Sequence, residues 1–120
     1  DEILSPIMVS FYSPDVLTQA DKKDIAQWLR TYLSRVDEDG ISDDKRQSKM
    51  NAINPKYVLR NYLSQLAIDK AEQGDPSLIN ELLDVMRHPY DEQPQYEQYA
   101  AKRPDWARNK PGCSMLSCSS

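Results

Sequence analysis

The chain reads as all-α: a small, irregular bundle of about four to six helices followed by an extended, Pro-rich C-terminal tail. Three observations carry that expectation. Helix-start signals recur as a capping residue followed by Pro, at Ser13-Pro14, Asn54-Pro55 and Asp75-Pro76. Between them the apolar residues return at three- and four-residue steps. Beyond Pro89 the pattern breaks: four of the eight prolines fall at or after that position, and the sparse apolar residues become mostly aromatic.

Ser13-Pro14-Asp15 sets a start, with an acid at the positive end of the helix dipole. Thr18 and Asp21 add a capping box. Ile25, Trp28, Leu29, Tyr32, Leu33 and Val36 then form one stripe on a helix of about three to four turns, ended by Gly40. Ser42-Asp43-Asp44 opens a short helix running toward Met50. Asn54-Pro55 is expected to open a long helix with Val58, Leu59, Tyr62, Leu63, Leu66 and Ala67 on one face, stopped at Gly74. Asp75-Pro76 restarts at once, with Leu78, Ile79, Leu82, Leu83 and Met86 as the next stripe, closed by His88-Pro89. So short a connection implies a helical hairpin. Leu59, Leu63, Leu66, Leu82 and Leu83 are the expected core centre, with Trp28 and Tyr32 packed against them. A short helix is expected near residues 95–101, and the rest of the tail should dock its rings, Tyr90, Tyr96, Tyr99 and Trp106, on a surface. Strand-like alternation is confined to residues 7–11. This divides the chain into a helical domain, residues 1–89, and a tail, residues 90–120.

Bulk properties narrow the function. At 120 residues the chain suffices for one modest core. A net charge of −4 disfavours general nucleic-acid binding. No run approaches the ~20 apolar residues of a membrane span. The acidic start, Asp1-Glu2, does not fit a signal peptide. Two cysteines are too few for a disulfide scaffold, so a reducing, intracellular setting is expected. A first residue other than Met is what a segment of a longer protein, or a trimmed chain, shows.

Few residues are candidates for chemistry. Both cysteines lie in the last eight residues, Cys113 and Cys118. A thiol at a terminus is accessible, so its reactivity is the expected reason for it. The pair is compatible with a local disulfide, with idle thiols, or with one thiol pairing elsewhere. His88, the sole histidine, fits a helix C-terminus. No metal-ligand spacing is present. The acidic runs at residues 37–39 and 43–44 read as solvated, and Arg30, Arg35, Lys45, Arg46 and Lys49 as partners in surface ion pairs. Arg60-Asn61 is either a solvated flank or a clamp between segments, since guanidinium suits carboxylate or carbonyl pairing.

Three segments together resemble the C-terminal end of the selenoprotein O family. They are Met50-Asn51-x-x-Asn54-Pro55-Lys56-Tyr57-Val58-Leu59-Arg60-Asn61-Tyr62-Leu63, Pro89-Tyr90-Asp91-Glu92-Gln93-Pro94-x-Tyr96-x-x-Tyr99-Ala100, and Ser117-Cys118-Ser119-Ser120. Pro104-Asp105-Trp106-Ala107, Gly112-Cys113 and Trp28-Leu29-x-x-Tyr32-x-x-Arg35 fit with them. The resemblance implies a much longer bacterial, cytoplasmic parent with a protein-kinase-like core, which transfers AMP from ATP to protein Ser, Thr and Tyr hydroxyls using Mg²⁺ or Mn²⁺. The nucleotide and metal ligands would lie in that core, so no catalytic, cofactor or metal residue is carried over, and this chain alone is expected to be inactive. Selenocysteine-containing members place selenocysteine third from the end. Cys118 stands there, implying a sulfur version with weaker redox potency, since a thiol is mostly un-ionised at neutral pH. The expected partners are the parent's core and its protein substrates, without nucleic acid or membrane. A non-catalytic helical interaction module and a small thiol-redox protein are the rival readings.

Overall fold

The computed structural model describes residues 2–113. Every regular element among them is helical, as expected: α1 (Ser5–Met8), α2 (Gln19–Glu38), α3 (Asp43–Ile53), α4 (Asn61–Glu72) and α5 (Ser77–Met86), with short 3₁₀ turns at Glu2–Leu4, Pro14–Val16, Pro94–Ala100 and Asp105–Ala107. Residues 7–11, the one stretch with strand-like alternation, form the end of α1 and a turn. None of the described helices is long and apolar enough to cross a membrane. The chain forms two compact units, one from residues 1–46 and one from Gln47 onward.

In the first unit, the Ser13-Pro14 start yields only a 3₁₀ turn. The long helix begins at the next cap. Thr18 Oγ1 accepts from the Asp21 N–H at 3.1 Å, and the Asp21 carboxylate accepts from the Thr18 N–H at 2.9 Å. This box holds the Asp21 carboxyl below its ordinary range, mainly through the Thr18 hydroxyl. α2 runs 20 residues, longer than its stripe suggests. It buries only Ala26 and Leu29, against Leu4 and the flanking Ile3, Ile7 and Met8. Trp28 and Tyr32 are not core residues. They stack on each other with ring centroids 5.6 Å apart and face outward. At the far end Arg46 Nη1 meets Asp43 at 2.7 Å, while Nη2 reaches the carbonyls of Val36 and Ile41. Arg35 pairs with Asp39 at 2.7 Å.

In the second unit, Asn54-Pro55 ends α3 instead of opening α4. A residue before Pro is pushed out of the α region. The next backbone donors then find a partner far along the chain: the N–H groups of Lys56 and Tyr57 both donate to the Pro89 carbonyl, at 2.8 and 3.1 Å. With those donors satisfied, residues 54–60 stay non-helical and α4 starts at Asn61. α4 and α5 form the expected hairpin. Its turn is a Schellman motif: Asp75 N–H donates to Lys70 and Gly74 N–H to Ala71, with Gly74 at φ +88°. The Asp75 carboxylate accepts from the Ser77 N–H, and hydrogen bonding to the Ser77 side chain first, then this backbone bond, lowers its pKa.

The core of this unit joins Tyr57, Tyr62, Leu63, Ala67, Leu82 and Val85 to Tyr99, Ala107 and Cys113, with Leu66 and Leu78 packed alongside. Leu59 and Leu83, expected at its centre, are half exposed. Periodicity marked a stripe wider than the core. One edge of that stripe faces Tyr57 and the segment beyond Pro89, and the other faces outward. The short helix expected near residue 95 is the 3₁₀ segment Pro94–Ala100, kinked at Tyr96.

Candidate functional site

Two features stand out: a belt of polar contacts that binds residues 56–60 to the segment after Pro89, and an apolar groove on the α4–α5 hairpin. Tyr57 anchors the belt. Its ring is 1% exposed. Its hydroxyl donates to the Gln93 carbonyl at 3.0 Å and accepts from the Gln93 N–H at 3.2 Å. The Gln93 side chain in turn donates to the carbonyls of Val85 and His88, at 3.1 and 2.9 Å. One glutamine thus ties the end of α5 to the segment before α4.

Lys56 lies beside it. Its Nζ pairs with the carboxylates of Glu92 and, at 2.8 Å, Glu97. Those two charge-assisted bonds, Glu92 first, raise the lysine's pKa well above its ordinary value. The ammonium also stands 5.7 Å from the Tyr57 ring centroid. Further along, the Tyr99 hydroxyl donates to Glu81 on α5. Burial, aided by that bond, pushes the phenol up to about 12.

The residues singled out from sequence fall around this belt. Arg60 is the residue just before α4, and its Nη1 donates to the Ala101 carbonyl at 3.4 Å, a long contact between segments. Asn61 is the exposed first residue of α4. Lys56, which the sequence reading passed over, makes the shorter bonds. His88 follows α5, with Nδ1 3.7 Å from an Asp91 carboxylate oxygen. Cys113 is a free thiol packed in the core, not an accessible one. It shares the core with Tyr99 and Ala107 of the tail; nearby in the chain, Lys110 sits 3.6 Å from Asp69 on α4 and 5.4 Å from the Trp106 ring centroid, and Trp106 meets Tyr62 edge-to-face. Cys118 lies outside the described residues.

The groove is lined by Leu59, Ser64, Ala67 and Ile68 on one side and Ile79, Leu82, Leu83 and Met86 on the other, around about 330 Å³. Ser64 is its only hydroxyl. A nucleotide triphosphate there would find no cation, and among the described residues no three His, Cys, Asp or Glu are grouped to hold a metal ion. The residues present therefore do not fit ATP or its divalent metal. What they can do is hold segments together and present an apolar face.

No family model matches the chain. Curated proteins do. The chain is 55% identical over 117 residues to the protein nucleotidyltransferase YdiU of Aromatoleum aromaticum. It is 53% identical over 121 residues to the protein of that name from Rhodopirellula baltica. Each alignment takes in 98% of this chain and 22% of the relative. A Xanthomonas campestris protein of the same name is 62% identical over 96 residues, 80% of this chain. The chain spans about a fifth of the length of the curated relatives it matches. Identity this high across nearly the whole chain agrees with the motifs at Asn54–Leu63 and Pro89–Ala100, and the chain belongs to the family of the YdiU protein nucleotidyltransferases, the selenoprotein O family.

Proposed function

We propose that this chain is the C-terminal region of a longer, bacterial, cytoplasmic protein adenylyltransferase. The parent transfers AMP from ATP, with Mg²⁺ or Mn²⁺, to Ser, Thr or Tyr hydroxyls of other proteins, and pyrophosphate leaves. Within it, these residues form a helical body that packs on a kinase-like core. The observation that carries this reading is 53–62% identity, over most of the chain, to proteins named protein nucleotidyltransferases. The groove's lack of any cation supports a division of labour in which nucleotide and metal are held elsewhere in the parent.

In this reading Cys118 is the redox thiol: a two-electron oxidant such as a peroxide would join its sulfur to that of a second thiol as a disulfide. The burial of Cys113 makes it a resolving thiol only when the packing around Ala107 and Tyr99 opens. A cysteine of the parent's core is the other candidate partner.

The test incubates the parent with α-labelled ATP, divalent metal and protein acceptors. Label on protein hydroxyls with release of pyrophosphate is expected from the parent and not from the 120-residue chain. A folded parent that transfers no AMP refutes the activity. An identical response to reductant in wild type and Cys118→Ser refutes the thiol switch.

A further inference from the structure

We infer that the groove between α4 and α5 is the seat of an apolar segment from the rest of the parent polypeptide. The inference rests on the reading of this chain as part of a longer protein, and deepens it by naming the surface.

Four observations lead here. Both helices of the hairpin carry more apolar residues than their core uses. Leu63 and Val85 belong to the core, and Ala67 and Leu82 to both core and groove, while Ile68, Ile79 and Leu83, with Leu59 just before α4, stand about half exposed. These four line a single depression with Met86. Scattered exposed leucines need no explanation, but a contiguous apolar cleft marks a place where something docks. The cleft holds no charged side chain and one hydroxyl, Ser64. Its occupant therefore brings Leu, Ile, Val, Met or Phe side chains, not an acidic or phosphorylated group, whose charge would be buried unpaired. Finally, the relatives are more than four times as long as the chain, which aligns with only 22% of their length. Polypeptide joined to this unit is present at a high effective concentration, so it outcompetes a free partner of equal intrinsic affinity. That argument favours the parent's own chain over a second copy.

The experiment uses the parent protein. Ile79→Cys, with Ile68→Cys as an independent variant on the other helix, is labelled with a maleimide under native conditions and read by peptide mass. Val16→Cys, at a position 75% exposed, is the reference. Both test sites are half exposed here, so shortening them opens no core cavity. Labelling at least about tenfold slower than the reference is expected, independent of protein concentration. A benzophenone amino acid at position 79 should then cross-link to a peptide outside these 120 residues. Labelling as fast as the reference overturns the inference. So does protection lost on dilution, or a cross-linked dimer, either of which assigns the groove to a second copy. Cross-links confined to these 120 residues overturn it as well. Neither readout depends on AMP transfer, so an inactive parent with a protected groove sinks the proposed activity and leaves this surface standing.

Discussion

Replacing Tyr57 with Phe removes one oxygen and leaves the ring. In the native structure that oxygen donates to the Gln93 carbonyl and accepts from the Gln93 N–H. Each such bond contributes about 0.5–1.5 kcal/mol net, so the pair should contribute about 1–3 kcal/mol. Because the two backbone groups sit in a partly buried strip, water replaces the hydroxyl poorly, and the upper half of that range is the better expectation. The ring is 1% exposed, so Tyr57→Ala should cost more, about 3–5 kcal/mol, by adding a cavity. Urea unfolding is the assay, with Trp106 fluorescence as the reporter in a Trp28→Phe background. Trp106 packs edge-to-face on Tyr62 and so reports the unit that contains Tyr57. With a urea m-value of about 1–3 kcal/mol/M, a loss of ~2 kcal/mol lowers the midpoint by about 0.7–2 M. A Tyr57→Phe midpoint that moves by less than ~0.2 M at unchanged m-value, the scale of a surface substitution, would refute the role given to the hydroxyl.

Leu63→Ala should cost about 2–5 kcal/mol in the same assay, while Leu59→Ala in the 120-residue chain should stay within about 0.5 kcal/mol, and similar losses at both would show that the core boundary is misplaced. Gly112→Ala should destabilise the aromatic tail, because Gly112 has φ +81° and an added Cβ would lie 2.5 Å from the Gln65 side-chain oxygen; an unchanged melting temperature contradicts that. Tyr99 carries a pH signature. Its folded-state pKa is raised from 10.0 to about 12, so its stabilising effect is complete below pH ~10 and is lost as the pH rises toward 12. Tyr99→Phe should flatten the fall in stability across that window, and an unchanged slope would remove Tyr99 as its source.

The legible parts of the fold are those whose cause lies within four residues. The Thr18–Asp21 box and the Gly74 stop are local geometry, and both stand where the sequence places them. Asn54-Pro55 misleads because its rule is local and its outcome is not. Pro89, more than thirty residues on, accepts from two N–H groups that the first turn of such a helix would have left without a partner inside the helix. Leu59 and Leu83 show a different limit: helical period identifies an apolar stripe but not which edge of a broad stripe the core takes. Cys113 lies in a tail of small polar residues, where composition suggests exposure, and it is buried by α4 and the 3₁₀ turn at Asp105–Ala107. Lys56 and Tyr57 were written in the motif that carries the family resemblance, yet no periodicity distinguishes them. Their partners, Glu92 and Gln93, lie across a whole helical hairpin.

That long-range pairing has a consequence for the life of the polypeptide. The residues that complete the core of the unit, Tyr99, Ala107 and Cys113, and Gln93, which holds Tyr57, are all synthesised after the hairpin. Until they emerge, the hairpin has no lid over Leu63 and Val85, and Tyr57 has no partner for its hydroxyl. A nascent chain halted at the end of α5 would therefore expose the apolar surface that chaperones and proteases recognise. A single protease cut near Ala101 would leave Gln93 and Tyr99 attached but free the piece that carries Ala107 and Cys113, which would then be held only by its own contacts. The smallest fragment worth expressing thus runs past Pro89, through at least Cys113.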